Sequence, residues 1–265
     1  MARFIDGGLY GEYYNPQKIV DTYYTFGHDC EFSEDALEQP LKEMHNYFST
    51  GAANGDTLIE IGSGPVIHQL ISSCECFKEI ILSDFTEQCL DAQRKWQNKD
   101  PEAFDWSDVV KHVCGLEGNR DKWMEKEEKI RNTVKRIVKC DATKIDPMAP
   151  EVLPPADCLL LIYVLEAICC DKEAYCTVLR NISPLVKIGG RVVMLALLGC
   201  SFIMCGDFKF PFLCVDEEFV RGAFTKAGFV IEKCCSNPRI NQTCYSTKDF
   251  SNVLFFVARK ETHCE

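Results

Sequence analysis

The stretch LIEIGSGPVIHQL at residues 58–70 decides the fold of this 265-residue chain. Apolar residues around one acid predict a buried strand, and the turn Gly62, Ser63, Gly64 then leads into an apolar run with helical spacing. Such a turn brings the backbone close to a ligand and points the first helix amides at it. The third glycine of a dinucleotide fingerprint is replaced by Ile67, and the Lys-Ser/Thr of a P-loop is missing. The stretch therefore predicts a nucleotide-like ligand without a pyrophosphate cradle.

Apolar strands alternate with helices along the chain on either side of this turn. This alternation predicts a parallel sheet that is covered by helices on both faces, in an α/β fold. Two final β-rich runs, VIEKCC and VLFFVAR, follow without a crossover helix, so we expect an antiparallel last strand. Residues 99–120 are predicted to be a connection. The five predicted strands before the final pair are 57–61, 79–84, 136–141, 157–165 and 189–197. The five predicted helices of this region are 65–74, 86–98, 123–135, 172–187 and 216–227.

The first part of the chain has a different character. It is rich in Tyr and Phe over YYNPQKIVDTYYTF (13–26), and Pro40 marks either a kink or the first turn of a helix. We predict a single domain in which residues 1–52 form a helical cap and residues 53–265 form a Rossmann-like core. The apolar residues that predict the helix around Pro40 are Leu37, Leu41, Met44 and Phe48.

Composition and charge exclude several classes of protein. The chain is 46% apolar and 11% aromatic, enough to fill a sizeable core, and its formal net charge is −11. A general nucleic-acid binder needs a basic footprint, so we expect no nucleic-acid partner. No segment approaches the roughly 20 apolar residues of a membrane span, and the start of the chain lacks the pattern of a secretory signal. The sequence therefore predicts a cytoplasmic protein with no membrane partner.

The 17 cysteines are odd in number and scattered along the chain. They form no C-x-x-C pair, and no two histidines have the spacing of metal ligands, so we expect no metal site. In a reducing compartment the simplest role for such residues is that of small buried hydrophobic side chains with free thiols.

Two acids narrow the choice of ligand. Asp84 ends the predicted strand after the glycine turn, where an acid typically accepts two ribose hydroxyls. Asp141 ends the third predicted strand and is placed to face an adenine amino group. Ribose recognition without a pyrophosphate cradle points to a nucleoside, and S-adenosylmethionine is the common one. The residues alone therefore predict this donor, with S-adenosylhomocysteine as its product.

Seven longer motifs carry a family resemblance. They are LIEIGSGPVIHQL, FKEIILSDFTEQ, KDPEAFDWS, LEGNRDKWMEKEEKIR, VKRIVKCD, PPADCLLL and FVARK. Together they resemble the small-molecule N-methyltransferases, a group that acts on nicotinamide, on indolethylamines and thioethers, and on phenylethanolamine. The resemblance runs from about Tyr10 to Lys260. It implies a class I methyltransferase fold of seven strands, S-adenosylmethionine as methyl donor, a small-molecule substrate and a cytosolic monomer.

The resemblance also implies a donor site, position by position. His68 and Cys89 stand where the family usually has Tyr and Asn; His68 either keeps a polar contact to the methionine carboxylate or lies on a helix surface. Tyr10, Tyr23 and Tyr24 match the N-terminal tyrosines that close over donor and acceptor. The implied cofactor-binding residues are Tyr23, Tyr24, Gly62, Ser63, Gly64, His68, Asp84, Phe85, Cys89, Asp141, Ala142 and Ile162.

The implied acceptor site departs further from the nicotinamide enzymes. Ala196, Cys200 and Phe212 replace the Asp and Ser residues that grip a carboxamide, and an amide buried there without partners would cost about 1–3 kcal/mol per group. The indolethylamine-type members also lack that Asp, so the resemblance favours an aryl amine such as tryptamine. The full set of implied substrate-binding residues is Tyr10, Tyr163, Ala196, Cys200, Ile203, Phe212 and Tyr245.

Tyr10, Tyr23 and Glu166 are the candidate catalytic residues. Glu166 follows the fourth predicted strand, where it either receives the amine proton or serves as a helix cap or a solvated surface acid. Three alternatives to an aryl amine N-methyltransferase stay open at this point: a nicotinamide N-methyltransferase, a thioether S-methyltransferase, and a non-catalytic protein that binds S-adenosylmethionine.

Overall fold

The computed structural model describes residues 3–4, 10–25, 37–240 and 247–262. The described strands are β1 (Arg3–Phe4), β2 (Gly55–Ile61), β3 (Phe77–Asp84), β4 (Val134–Lys139), β5 (Ala156–Ile162), β6 (Val186–Leu198), β7 (Phe202–Cys205), β8 (Phe208–Pro211), β9 (Phe229–Pro238) and β10 (Asn252–Lys260). The described α-helices are α1 (Tyr10–Tyr13), α2 (Pro16–Tyr23), α3 (Gln39–Phe48), α4 (Leu70–Ser73), α5 (Glu87–Gln97), α6 (Ser107–Leu116), α7 (Trp123–Thr133), α8 (Leu165–Ile168), α9 (Lys172–Ile182) and α10 (Glu217–Lys226).

The central sheet has seven strands in the order β4-β3-β2-β5-β6-β10-β9. Neighbouring strands from β4 to β6 pair in parallel, and β10 runs antiparallel to both β6 and β9. The predicted α/β class, the parallel sheet and the antiparallel last strand are confirmed. Because β2 lies in the middle of the sheet, the glycine turn that follows it opens at the centre of the carboxyl edge.

Alternate residues of the central strands enter two separate cores, one on each face of the sheet. On one face, Leu58 and Leu195 pack with side chains of α3, α4 and α6. On the other face, Ile59 and Met194 pack with side chains of α9 and α10. The period of two along a strand therefore decides which side of the molecule each side chain serves.

A smaller sheet, in the order β1-β8-β7, lies beside the helix α2. Ile19 and Tyr23 of α2 are buried against Cys205 and Phe210 of the β7–β8 hairpin. In the described part of the cap predicted for residues 1–52, α2 packs on this hairpin. The helix α3 packs in the main core instead. The division of the domain at residue 52 stays a prediction.

The observed element bounds differ from the predicted ones in several places. The connection predicted for 99–120 contains α6, whose buried Val109, Val110 and Val113 have helical spacing around Trp106. The helix predicted for 65–74 is reduced to α4, because Gly64 and Pro65 are followed by a turn. The helix predicted for 172–187 ends at 182, and a short 3-10 turn leads into β6. The strand predicted for 157–165 ends at 162.

Pro40 lies in the first turn of α3, where its missing N–H has no partner to lose. The first of the two predicted alternatives is therefore wrong, and Pro40 does not kink the helix. None of the helices in the described ranges is long and apolar enough to cross a membrane.

Candidate active site

One cavity of about 740 Å³ opens at the carboxyl edge of the central sheet. Neighbouring strands lie about 4.8 Å apart, so the ends of β4, β3, β2, β5 and β6 spread the cavity over about 19 Å. We call the part at β4, β3 and β2 the donor end, and the part at β5, β6 and the β7–β8 hairpin the acceptor end. The predicted site residues that line the cavity are Tyr23, Tyr24, Gly62, Ser63, Gly64, Asp84, Phe85, Cys89, Asp141, Ala142, Ile162, Tyr163, Ile203 and Phe212.

The glycine turn contains two glycines, Gly62 and Gly64, at which any other residue would be strained. Gly62 has φ +65°, and a Cβ there would lie 2.3 Å from Cγ2 of Val164. Gly64 has φ +59°, and a Cβ there would meet nothing within 4 Å, so its backbone is open to the cavity. Both glycines are in the left-handed region that L side chains rarely adopt. The turn therefore gives a ligand direct access to backbone atoms.

Asp84 is shared between the protein and the cavity. One carboxylate oxygen accepts the Thr86 N–H and hydroxyl, both at 2.8 Å, and the other accepts the Gly64 N–H at 2.8 Å. A carboxylate has about four acceptor positions, so about one is left for a ligand. The binding of two ribose hydroxyls by this acid stays a prediction. Burial raises the pKa of Asp84, and the hydrogen bonds from Thr86 and Gly64 act against that rise.

At the other side of the donor end, Asp141 follows β4. Its side chain accepts the Thr143 N–H at 3.1 Å and the Thr143 hydroxyl at 2.6 Å. Phe85 is half exposed, and the ammonium of Lys139 lies 5.2 Å from the centre of its ring. Two acids at neighbouring strand ends, with a flat aromatic face beside them, give this end the polar and apolar groups that a nucleoside needs.

Several polar atoms buried beneath the turn have no hydrogen-bond partner. Glu60 accepts from Gln69 at 2.7 Å through one oxygen, and its other oxygen is unpartnered, as is the amide oxygen of Gln69. Burial raises the pKa of Glu60 well above its usual range. Gln93 donates to the Ser63 hydroxyl at 2.7 Å, but its own oxygen is unpartnered. Unsatisfied buried acceptors are costly, and Glu60, Gln69 and Gln93 form this cluster behind the lining of the cavity, which none of them joins.

His68 does not line the cavity and is buried, so its predicted position on a helix surface is wrong, while its contact to the methionine carboxylate stays a prediction. It is 1% exposed, neither ring nitrogen has a partner, and its ring lies 4.7 Å from that of Tyr24. Burial lowers its pKa to about 3, so the ring is neutral at physiological pH. His68 therefore packs against Tyr24, behind the residues that line the cavity.

The acceptor end begins with a strained residue. Tyr163 follows β5 with φ +54°, a conformation that costs energy for any residue but glycine. Its N–H donates to the carbonyl of Leu195 at 2.9 Å, which holds the turn against β6. Leu197, Ile203 and Phe212 complete an apolar wall.

Two predicted acceptor residues do not line the cavity. Ala196 is buried in the core on the other face of the sheet, because successive side chains of β6 point to opposite faces, and Leu197 takes the cavity position. Cys200 is fully buried, and its thiol contacts the carbonyl of Phe202 at 3.3 Å. Of the three positions used to argue against nicotinamide, only Phe212 lines the acceptor end.

Glu166 does not line the cavity either. It is 1% exposed, its carboxylate accepts the Leu197 N–H at 2.8 Å, and its own carbonyl accepts the Leu213 N–H at 2.7 Å. Burial raises its pKa to about 7. The carboxylate therefore ties α8 to the end of β6 at Leu197, and the backbone carbonyl of the same residue holds the cavity residue Leu213. Neither a solvated surface role nor a direct catalytic contact agrees with this placement.

Tyr23 contributes to the cavity while its hydroxyl is committed to the protein. The hydroxyl donates to the Met204 carbonyl at 2.8 Å, with the Thr247 carbonyl at 3.2 Å, and accepts the Met204 N–H at 3.1 Å. Burial raises its pKa. The predicted catalytic hydroxyl is thus a structural link between α2 and β7. The side chain of Tyr10 and the whole of Tyr245 lie outside the described residues.

Sequence reasoning missed several residues of the acceptor end, among them Leu197 and Lys248. The alternation of side chains along β6 would have predicted Leu197 if the register of the strand had been known. Lys248 is 5% exposed and lines the cavity, but it belongs to no strand or helix with a readable pattern. It forms an isolated bridge with Ile203. In the described parts of the chain, no three His, Cys, Asp or Glu side chains are grouped to hold a metal ion.

Comparison with known proteins places this geometry among methyltransferases. The NNMT/PNMT/TEMT family model matches residues 2–261. The chain is 42% identical to the indolethylamine N-methyltransferase of Oryctolagus cuniculus and 43% identical to the nicotinamide N-methyltransferase of Homo sapiens, with 97% of each chain covered in both cases. It is 35% identical to the phenylethanolamine N-methyltransferase of Bos taurus, over 83% of this chain and 79% of that one.

Solved structures share the fold at low sequence identity. The magnesium protoporphyrin IX methyltransferase from Synechocystis PCC 6803 with bound SAH aligns with a TM-score of 0.61 at 13% identity, over 97% of this chain and 100% of that one. The 1,6-didemethyltoxoflavin-N1-methyltransferase of Burkholderia thailandensis aligns with a TM-score of 0.54 at 15% identity, over 99% of this chain and 93% of that one.

Proposed function

We infer the substrate class of this chain from one premise, which is that it belongs to the NNMT/PNMT/TEMT family and is an S-adenosylmethionine-dependent N-methyltransferase. We propose that its acceptor is a small aromatic amine such as tryptamine or a related indolethylamine. The indolethylamine and nicotinamide enzymes match the chain equally well, so the choice between them rests on the cavity.

The lining of the acceptor end is the observation that carries this proposal. Tyr163, Leu197, Ile203 and Phe212 offer the ring of an arylalkylamine a large apolar surface. Among the described lining residues, none at this end is an Asp, Ser or Asn that could pair with a carboxamide. Burying an unpaired amide costs about 1–3 kcal/mol per group, which disfavours nicotinamide.

The donor end fits S-adenosylmethionine. We propose that Asp84 holds the ribose through its remaining acceptor position, that Asp141 faces the adenine, and that Gly62 and Gly64 leave room for the methionine part. When bound, S-adenosylmethionine supplies a methyl group on a positively charged sulfonium.

The chain's own contribution to the transfer is to position the acceptor and to keep it uncharged. Orienting two reactants in one cavity can supply several kcal/mol of the barrier reduction, about 7–11 kcal/mol in the best intramolecular cases. An apolar wall disfavours an ammonium and so lowers the pKa of a bound amine from its usual value near 10. The free base, which alone can attack, is thereby favoured.

No described carboxylate reaches the acceptor end to take the amine proton, since Glu166 lies behind Leu197. We therefore propose that the proton is lost to solvent and that Glu166 is a positioning residue. An arylalkylamine should then be methylated faster as pH rises through the neutral range, because a larger fraction of it is free base in solution.

An apolar acceptor end also suits a neutral thioether, which has no hydrogen bond to lose. S-methylation of thioethers is for this reason the second candidate activity. A protein that binds S-adenosylmethionine without catalysis is disfavoured because the cavity is continuous from the donor end to the acceptor end.

A panel of acceptors tests the proposal. The purified protein is incubated with labelled S-adenosylmethionine and with tryptamine, 2-phenylethylamine, nicotinamide or dimethyl sulfide, and methyl transfer is measured from pH 6 to pH 9. We expect kcat/KM to be highest for an arylalkylamine and to climb with pH. Nicotinamide, whose ring nitrogen is already unprotonated there, should show no such climb.

A preference for nicotinamide over every arylalkylamine would refute the proposed substrate class. Methylation of the thioether and of no amine would show that the acceptor atom is sulfur and would support the S-methyltransferase alternative. S-adenosylhomocysteine binding without transfer to any acceptor would support the non-catalytic alternative.

A further inference from the structure

Lys248 places a positive charge in the wall of the acceptor end. It lines the cavity, is 5% exposed, and has its ammonium 4.5 Å from the centre of the Tyr23 ring and 5.4 Å from that of Phe250. The other charged side chains in the described lining, Asp84 and Asp141, belong to the donor end. Among the described lining residues of the acceptor end, Lys248 is therefore the one charged side chain, and the function proposed above does not use it.

The backbone around Lys248 is fixed from two sides. The neighbouring Asp249 accepts the Ser201 N–H at 2.7 Å and the Ser201 hydroxyl at 2.6 Å, which ties the segment to the start of β7. The Lys248 carbonyl accepts from the guanidinium of Arg239 at 3.0 Å. These bonds hold the backbone of Lys248 beside Ile203, at a fixed position in the lining of the cavity.

A ligand that fills the acceptor end covers the small exposed part of Lys248 and completes the burial of its charge. Desolvating a charge costs free energy unless the ligand supplies a compensating group, and a carboxylate compensates best because it forms charge-assisted hydrogen bonds. An ammonium has three N–H donors, so Lys248 can keep its contacts within the protein and still donate to a ligand. A second cation at this end would instead be repelled.

We propose that Lys248 is a specificity-determining residue that binds an anionic substituent, a carboxylate, on the aromatic acceptor. The preferred acceptor is then an aryl compound with its nucleophilic atom directed to the donor end and a carboxylate directed to Lys248. The inference rests on the proposed function only in placing the acceptor at this end of the cavity.

Binding of a matched pair tests the proposal without requiring turnover. Indole-5-carboxylate and indole-5-carboxamide have the same shape, and only the first is charged. Their dissociation constants are measured by calorimetry in the presence of saturating S-adenosylhomocysteine, for the wild type and for Lys248→Met and Lys248→Arg. Lys209→Met is the matched control, because Lys209 also lies over an aromatic ring, 3.9 Å from that of Phe202, but does not line the cavity.

We expect the wild type to bind the carboxylate at least about tenfold more tightly than the carboxamide, as charge-assisted hydrogen bonds allow. Lys248→Met should bring that ratio close to one while leaving the affinity for S-adenosylhomocysteine unchanged. Lys248→Arg and Lys209→Met should both keep the ratio.

A ratio near one in the wild type would overturn the proposal whatever the variants do. So would an unchanged ratio in Lys248→Met, or an equal loss of both ligands, which would indicate a structural role. A failure of amine methylation would sink the proposed function but would leave the measured ratio, and with it this inference, intact.

Discussion

Asp84 combines a structural task with a binding task in one carboxylate. It holds the Gly64 N–H and the Thr86 cap of α5, and about one acceptor position remains for the donor. Asp84→Asn removes the charge and one acceptor oxygen. Because hydrogen bonds to charged groups contribute roughly 1.5–3 kcal/mol, we expect the affinity for S-adenosylhomocysteine to fall about tenfold or more. Calorimetric titration measures this change.

Asp157→Asn is the matched control for that titration. Asp157 also accepts backbone N–H groups, those of Asp56 and Thr57, but at the opposite edge of the sheet, far from the cavity. Its replacement should lower stability and leave donor affinity unchanged. Equal donor affinities of Asp84→Asn and the wild type would remove the ribose assignment.

Glu166 makes stability depend on pH in an unusual direction. Its pKa is about 7 in the folded protein because of burial, above the ordinary value of 4.5. The folded state therefore holds a proton that the unfolded state releases, and stability falls as pH rises from about 4.5 to 7. Glu166→Gln keeps an acceptor for the Leu197 N–H and removes the ionisation.

The melting temperature of Glu166→Gln relative to the wild type should accordingly increase with pH across that window and level off above it. The corresponding gain in the free energy of unfolding should be at most on the order of 3 kcal/mol. Glu125→Gln, at an exposed position of α7, serves as control. A gain that shrank with rising pH would contradict the assignment.

Residue identities at the donor end were open to prediction, since a glycine turn and strand-end acids have spacings that the chain itself displays. Residue identities at the acceptor end could not be predicted, because they depend on strand register and on contacts between residues distant in sequence. Ala196 and Leu197 differ by one position along β6, and only the pairing of β6 with β10 and β5 decides which faces the cavity. Lys248 reaches the wall through a bridge to Ile203.

At the scale of elements, the Tyr23 hydroxyl is the link between α2 and the β7–β8 hairpin. Tyr23→Phe leaves the ring but removes both the donor to the Met204 carbonyl and the acceptor for the Met204 N–H. Losing a partner of a buried group costs about 1–3 kcal/mol, so we expect faster hydrogen exchange in α2 and β7 and a higher KM for the acceptor.

Tyr13→Phe provides the comparison, since the ring of Tyr13 contacts Phe208 of the same hairpin at 5.1 Å. It should leave exchange and KM near their wild-type values. Unchanged exchange in Tyr23→Phe would show that the ring contacts alone hold α2 to the hairpin.

The elements themselves were predictable where the apolar period was clear, as in β2, β3, α5 and the closing pair of β9 and β10. α6 was missed because Trp106, Asp108 and Gly115 suggested a loop, while the burial of its valines on α3 and α4 outweighs those signals. β5 ends early because Tyr163 turns to φ +54° to open the acceptor end. Such a turn has no signature in the residue type.

At the scale of the whole molecule, the described cysteines are all unpaired thiols, and most of them are buried. Burial also raises the pKa of several, among them Cys74, Cys140 and Cys200, so few thiolates are present at neutral pH. Among the described cysteines, we expect a thiol reagent to label Cys170 and Cys214 first in the native protein, because both are exposed.

Denaturation without reductant should then expose all 17 thiols, as counted by absorbance after labelling. A lower count would reveal a stable disulfide. Because Cys170 and Cys214 line the cavity, saturating S-adenosylhomocysteine should slow their labelling. Cys76 is partly buried away from the cavity, so the rate of its labelling should not change when the ligand is added.

The order of the strands has a consequence for inhibitor design. Since the donor and acceptor ends are consecutive stretches of one sheet edge, with no wall between them, a single molecule can occupy both. An adenosyl group tethered to an aryl carboxylate would lose translational and rotational freedom only once on binding, and each half would hold the other at a high effective concentration. The tether has a fixed path to follow, from the end of β3 past the glycine turn to the end of β6, and its optimal length is set by three inter-strand steps, about 14 Å.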